Sequence, residues 1–437
     1  MSDTEKPHDG VAKALLGLHE STAGHPLRIG GMEAKGIADR YGTPCYVYDA
    51  GLLRSRYRQV EEALGVEILF ALKANPSLAV ASVLRREGSG AEVASGGEIL
   101  IADKAGFAGK DIQFAGPGKS HTDLGMALDK GIHSINLESV SEYESLAALA
   151  KERKQCPGVA IRINPAEAVG GSRMRMSGGA KKFGVDEDQV AGLIQHIHDQ
   201  GLVDLRGLHC YMGTQCFDAE AWLQSARHLL EFANEMEAKT GVALPSLDFG
   251  GGFAVPCFEG DQEFDLELAG KGMRELLAGE DRRAFVELGR YLVAPAGVFL
   301  MRVLHVKQSH GKRFAILDGG MHQNAAAAGV GSVIRRPFPI VAVKDPHAEE
   351  AVPQSLCGPL CTPADDFVSD LALPALEPGD LVAILVSGAY GLTFSNLAFL
   401  SHPSPAEVLV DQGRSWLIRE PGRPDDALRG QLLPEPT

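Results

Sequence analysis

Apolar residues along this chain fall into two textures. Between Glu67 and Leu288, short runs rich in Val, Ile, Leu and Phe alternate with longer stretches in which apolar residues recur every three or four positions. The short runs predict buried strands at Glu67–Leu72, Ala91–Ala94, Ile112–Ala115, Ser134–Leu137, Val159–Ile163, Gly207–Tyr211, Ser246–Phe249 and Phe285–Leu288. The longer stretches predict helices such as Pro76–Glu87, Gly97–Ala105, Ser141–Arg153, Asp186–Gln200, Ala219–Ala238 and Leu266–Ala278. Eight strands alternating with helices over about 225 residues is the count at which a parallel sheet closes. The expected fold is therefore α/β, a (β/α)8 TIM barrel; a doubly wound open sheet is the alternative. From about Ala296 the helix pattern fades. Val298–Val306, Phe314–Leu317, Phe338–Val343, Leu381–Val386 and Ala406–Val410 read as strands separated by glycine-bearing turns, which predicts a C-terminal all-β domain.

These textures divide the 437 residues into a polar N-terminal extension (1–25), a segment expected to join the β domain (26–48), the barrel (49–295) and the β domain (296–437). Ile37 to Tyr48 carries a short helix signal and a strand. The formal charge of −15 argues against nucleic acid or an anionic membrane as partner. No apolar run spans a bilayer, and residues 1–24 lack the apolar core of a secretory signal. Seven scattered cysteines fit a reducing compartment, so the cytoplasm is expected.

In a barrel the chemistry gathers where the strands end. The first strand ends at Lys73, beside an apolar run whose dry surroundings would favour a neutral, nucleophilic amine. The second ends near Glu92 and Ser95. The fifth gives Arg162 and Asn164, and the sixth gives His209, Tyr211, Gly213 and Thr214. The seventh gives Asp248 and then Gly250-Gly251-Gly252; the eighth gives Glu287, Gly289 and Arg290. Three glycines let backbone N–H groups approach an anion, and Arg290 can pair with the same anion. A lysine able to form an imine, a phosphate cradle and a strand-end carboxylate suggest pyridoxal 5′-phosphate, with Glu287 against the pyridine nitrogen. In the β domain, Cys357-Gly358-Pro359-Leu360-Cys361-Thr362 has too few cysteines for zinc, and no metal is expected; the turn could instead present Cys361 as an acid. In Ser387-Gly388-Ala389-Tyr390-Gly391, Tyr390 could reach a phosphate or ring.

Together, Phe70–Asn75, Leu208–Gln215, Asp248–Phe253, Glu287–Tyr291, Gly358–Cys361 and Gly388–Tyr390 resemble the pyridoxal-phosphate decarboxylases of the alanine racemase fold type, which include the diaminopimelate, ornithine and arginine decarboxylases. The resemblance runs from about Ala38 to Val410. It implies that Lys73 bonds covalently to the cofactor and that Glu287 pairs with its pyridinium nitrogen. Gly251, Gly252, Arg290 and Tyr390 would bind the phosphate with Thr214 nearby, and Arg162, Gly250 and Gly289 would join the cofactor site. Cys361 would protonate Cα in the neighbouring subunit's site, so a homodimer with shared sites is expected. Two positions depart from the free-amino-acid decarboxylases. Tyr211 stands where they carry a ring-stacking histidine, and Thr362 stands where they carry an acid that holds a distal ammonium. The chain thus looks more like the branch acting on acylated or carrier-bound amino acids in secondary or siderophore pathways. Arg336, beside Arg335, is a candidate for an acidic substrate group. Diaminopimelate decarboxylase is the alternative; an amino-acid racemase and an inactive regulatory homologue are the further ones.

Overall fold

The computed structural model describes residues 9–166, 172–175, 178–331, 336–348 and 350–434. The chain divides into two compact units. One comprises Leu53–Val255 and Gln262–Leu292, and the other Met1–Leu52, Pro256–Asp261 and Val293–Thr437.

The first unit is a closed parallel barrel. Its eight strands, in chain order, are Glu67–Ala71, Gly90–Val93, Ile112–Phe114, Ser134–Leu137, Gly158–Asn164, Asp204–His209, Ser246–Gly251 and Arg283–Leu288. Each pairs in parallel with the next, and the eighth closes on the first through Phe285 opposite Glu67 and Leu288 opposite Phe70. The strands are covered on both sides, which is why they read as nearly unbroken apolar runs; Gly158–Asn164 is buried along its whole length. Closure rules out the doubly wound alternative.

Glycine and short polar side chains punctuate the connecting helices. Ser95, Ser139 and Asp218 cap the helices that follow them by accepting a backbone N–H. Ser120 and Asp123 form a reciprocal cap on His121–Lys130, a helix that the apolar periodicity did not reveal. Near the first strand two boundaries shift. The strand stops at Ala71, Lys73 lies in a 3-10 turn, Leu72–Ala74, and the following helix opens at Leu78, two residues after Pro76. There the Asn75 carboxamide oxygen accepts the Ser77 N–H, which holds the chain extended and delays the helix. Ser95, read as a strand end, is instead a helix cap.

The second unit is built on the 13-residue strand Gly297–Ser309. Its first half pairs with Cys45–Asp49 and with Leu381–Ile384, and its second half pairs with Lys312–Leu317. Cys45–Asp49 continues to Ala406–Asp411 and then to Arg414–Arg419. Three strands missing from the sequence reading, Val352–Cys357, Asp366–Leu373 and Arg414–Arg419, are partly exposed and carry mixed polar patterns. A helix, Asp9–Leu18, lies within the stretch read as a polar extension. Tyr46 anchors the sheet. Its ring stacks on Phe299 at 4.6 Å, and its buried hydroxyl donates to the Gln323 carbonyl at 2.7 Å. Among the described residues no helix is long and apolar enough to cross a membrane.

Tyr46→Phe keeps the stacking but leaves the Gln323 carbonyl without its donor. We expect a loss of about 1–2 kcal/mol, seen in urea as a lower midpoint of the transition that unfolds this sheet. An unchanged midpoint would show that another donor replaces the hydroxyl.

Candidate active site

Polar side chains gather at the ends of the barrel strands because parallel pairing sets them side by side. Ala71 is opposite Glu92, Arg162 opposite His209, His209 opposite Asp248, and Gly251 opposite Glu287. Glu92, Arg162, His209, Asp248 and Glu287 are all at most 5% exposed. Buried charges at this density persist only when they neutralise one another.

Lys73 reaches over this layer. Its Nζ lies 3.0 and 2.9 Å from the two carboxylate oxygens of Glu92 and 5.8 Å from the centre of the Tyr211 ring. The lysine side chain is 41% exposed, whereas that of Glu92 is 1% exposed. The dry environment expected for the amine therefore belongs to its partner, because the 3-10 turn lifts Lys73 beyond the apolar end of the strand. Burial pushes the Glu92 carboxyl up, against the opposing pull of Lys73.

Behind the lysine, one ligand-type atom from each of His209, Asp248 and Glu287 lies within 4.8 Å of the others. Burial alone would raise Glu287, but His209, Lys73 and Arg162 hold it down to about 2, so it is a carboxylate. Its Oε2 is 3.4 Å from His209 Nε2. Its Oε1 is buried with no hydrogen-bond partner among the described residues. Burial disfavours a charged His209, yet Glu287 and Asp248 together raise it. Asp248 moves opposite to Glu287. Burial, and then the Glu287 charge, push it up to about 8, even though its Oδ1 accepts the Gly250 N–H at 2.9 Å. Sequence reasoning placed His209 and Asp248 at strand ends without giving either a task. The available signal was a charged residue inside an otherwise apolar strand.

Arg162 is held by a buried ion pair to Glu138 at 2.7 Å, and its guanidinium lies 4.8 Å from the Phe183 ring centre. Glu138 also accepts the backbone N–H groups of Gly116 and Gly184, each at 2.8 Å. This loop-fixing carboxylate was not anticipated.

The three glycines at the end of the seventh strand, Gly250 and Gly251 within it and Gly252 just beyond, are demanded by backbone convergence. A Cβ on Gly251 would sit 1.8 Å from the Glu287 carbonyl oxygen, and one on Gly252 would sit 2.0 Å from that of Gly213. Gly250 and Gly252 have φ of 60° and 89°. The Gly250 amide is already given to Asp248, so it orients that carboxyl. Gly289 brings the segment after the eighth strand against the lysine turn: a Cβ there would lie 2.8 Å from that of Ala74. Arg290 opens the short helix Arg290–Val293 that follows. Thr214 lies in the strand Gly213–Cys216, which pairs with Ser172–Arg175.

Cys361, Thr362, Tyr390 and Arg336 belong to the second unit. Cys361 is exposed on a turn that Asp365 ties together. One Asp365 oxygen accepts the Met321 N–H at 2.6 Å and the other accepts the Leu360 N–H at 2.8 Å. Thr362 Oγ1 accepts the Ala364 N–H at 3.3 Å. Tyr390 has a φ of 53°, a left-handed conformation unusual outside glycine. Arg336 packs 4.1 Å from the Phe258 ring centre and lies 3.8 Å from Asp261 Oδ1. Arg335 lies outside the described residues.

Comparison with known proteins gives the geometry a context. Residues 50–294 match the family model for the pyridoxal-binding domain of pyridoxal-dependent decarboxylases. The chain is 36% identical over 414 residues to the L-glutamyl-[BtrI acyl-carrier protein] decarboxylase of Niallia circulans, covering 92% of this chain and 97% of that one. It is 34% identical over 425 residues to the diaminopimelate decarboxylase of Methanothermobacter thermautotrophicus, covering 94% and 96%. Among solved structures, it resembles Helicobacter pylori diaminopimelate decarboxylase complexed with L-lysine. That match has a TM-score of 0.83 and 29% identity, and covers 90% of this chain and 98% of that chain.

The raised Asp248 has a measurable consequence. Its contribution to stability is complete below the ordinary value of 3.8 and is lost as pH rises through about 8. Asp248→Asn removes this dependence. The melting temperature of the variant should therefore gain on that of the wild type between pH 5 and pH 9, measured on protein free of added cofactor. A constant difference across that range would show that Asp248 is already ionised at pH 5.

Proposed function

Because the chain belongs to the pyridoxal-dependent decarboxylases, we propose that it removes the α-carboxylate of an amino acid whose distal end is acylated or carrier-bound, in a biosynthetic route. It is a carboxy-lyase that uses pyridoxal phosphate. The residues of the barrel fit that group. The partnerless buried Oε1 of Glu287 calls for a donor, which a protonated pyridine nitrogen provides. The Lys73 amine, exposed enough to meet an aldehyde, is its attachment point. When bound, the cofactor supplies an electron sink for the pair left at Cα as carbon dioxide departs.

The chain's own residues do the rest. Glu287, kept ionised by His209, holds the ring nitrogen's proton. Glu92 takes up the lysine's charge and orients Nζ. Tyr211 flanks the amine with an aromatic face. Gly251, Gly252, Thr214, Arg290 and Tyr390 are assigned to the phosphate, with Gly250, Gly289 and Arg162 shaping its surroundings. Cys361 is assigned the return of a proton to Cα. We further propose a cytoplasmic homodimer with shared sites. The exposure of Phe394, Phe399 and Leu400 on one short segment supports an interface between subunits.

The substrate class is carried by Thr362. A neutral hydroxyl beside Cys361 cannot pair with a distal ammonium, and the nearby Asp365 has spent both oxygens on backbone N–H groups. The carrier-protein specificity in the name of the Niallia relative supports the same reading. Arg336 is proposed to face an acidic portion of the substrate. Free diaminopimelate is the second reading, favoured by the Methanothermobacter relative.

The deciding experiment is carbon dioxide release over a panel of meso-diaminopimelate, lysine, ornithine, arginine, a glutamyl-pantetheine thioester and a citryl-diaminopropionate. Turnover confined to the acylated substrates supports the proposal, and efficient turnover of free diaminopimelate overturns it. Lys73→Ala should abolish both carbon dioxide release and the visible absorbance of covalently held cofactor. Thr362→Asp should raise kcat/KM for diaminopimelate by roughly 10–100-fold, the value of one charged hydrogen bond of about 1.5–3 kcal/mol. An unchanged ratio would remove Thr362 from the specificity argument.

A further inference from the structure

The barrel has a second concave face, at the end where its strands begin. A cleft of about 800 Å3 opens there, bounded by the starts of the first, second, third and eighth strands and by His133 just before the fourth. Lys73 and Glu287 lie at the opposite ends of the first and eighth strands, so this cleft is separate from the cofactor site. Its size suits a small organic ligand.

The charges around it do not cancel pair by pair. Arg283 is paired with Glu67 at 2.7 Å and Arg282 with Glu280 at 2.8 Å. Arg85, Arg86 and Lys110 are exposed and have no ion pair among the described residues, and the lining as a whole carries five cations against the four carboxylates of Glu61, Glu67, Asp111 and Glu280. In a chain of net charge −15, a lining with one cation in excess differs in sign from the molecule as a whole.

A buried donor adds a second, independent observation. His133 lines the cleft and is 7% exposed. Its Nδ1 lies 3.1 Å from Arg206 Nη1. A guanidinium can only donate, so Nδ1 accepts and the imidazole carries its proton on Nε2. Burial, then Arg283 and Arg206, push this histidine down to about 4 against the weaker pull of Glu67 and Asp204, so the ring is neutral. Nε2 has no hydrogen-bond partner among the described residues. A buried N–H left without an acceptor costs about 1–3 kcal/mol. Three exposed, unpaired cations around one cleft, with a neutral imidazole in its wall, suit an acceptor-rich anion.

We propose that this cleft is a binding site for a small organic polyanion, bearing carboxylate or phosphate oxygens, held by Arg85, Arg86 and Lys110 with His133 at its floor. The test is calorimetric titration of the holoenzyme, whose catalytic phosphate site is filled by its own cofactor, with citrate and separately with inorganic pyrophosphate. The comparison protein is the Arg86→Gln/Lys110→Gln double variant, whose changes are at exposed positions. Saturable binding of either anion at one site, weakened at least about 10-fold in the double variant by the loss of two charged contacts, with an unchanged ligand-free melting temperature, supports the proposal. Preference for citrate identifies a carboxylate ligand and preference for pyrophosphate a phosphate one. No saturable binding of either anion, or equal binding by the double variant, overturns it.

Discussion

The catalytic end of the barrel is governed by the cost of burying charge. Glu92, Glu138, Glu287, Arg162 and His209 sit where water scarcely reaches, and an isolated charge in such a place is unstable by several kcal/mol. Each is therefore tied to an opposite charge on a neighbouring strand or loop: Lys73 with Glu92, Arg162 with Glu138, His209 with Glu287. Asp248 is the carboxyl left over, and it keeps its proton up to about 8. Lys73, Arg162 and His209 thus face Glu92, Glu138 and Glu287 in turn, and Asp248 has no cation of its own. The geometry of the site follows from these pairings, since moving any one partner strands another.

Backbone closeness is the second constraint, and it serves the first. The glycines at the end of the seventh strand let that segment lie against the carbonyl oxygens of Glu287 and Gly213. The same approach gives Asp248 the Gly250 amide and brings His209 and Glu287 into one layer. A side chain at Gly251 would push apart the strands that hold the charges. Here the glycine motif does structural work in addition to any contact with an anion.

In the second unit the equivalent device is Asp365. Its two oxygens bind backbone N–H groups from separate segments and fix the turn that presents Cys361 and Thr362. An acid in this turn is thus structural, and the side chain beside the exposed thiol is a neutral hydroxyl. That hydroxyl is the feature on which the proposed choice of an acylated substrate over one with a distal ammonium rests.

Much of this was legible in the sequence. The alternation of apolar runs with helical periodicity determined an eight-stranded barrel, because a parallel strand covered on both faces must be apolar throughout. Lys73, Gly250–Gly252 and Glu287 were visible because each interrupts such a run at a strand end. Tertiary structure alone decided the partners. Lys73 and Glu92 are 19 residues apart, and His209 and Glu287 are neighbours only because the sixth, seventh and eighth strands lie side by side in a closed sheet. The 3-10 turn at Leu72–Ala74 leaves Lys73 part-exposed, while Glu92 is buried beneath it. Closure also gathered Arg85, Lys110 and His133 at the far mouth of the barrel. Local pattern fixes which residues form a strand; which charges face one another depends on register and closure, and those are properties of the whole sheet.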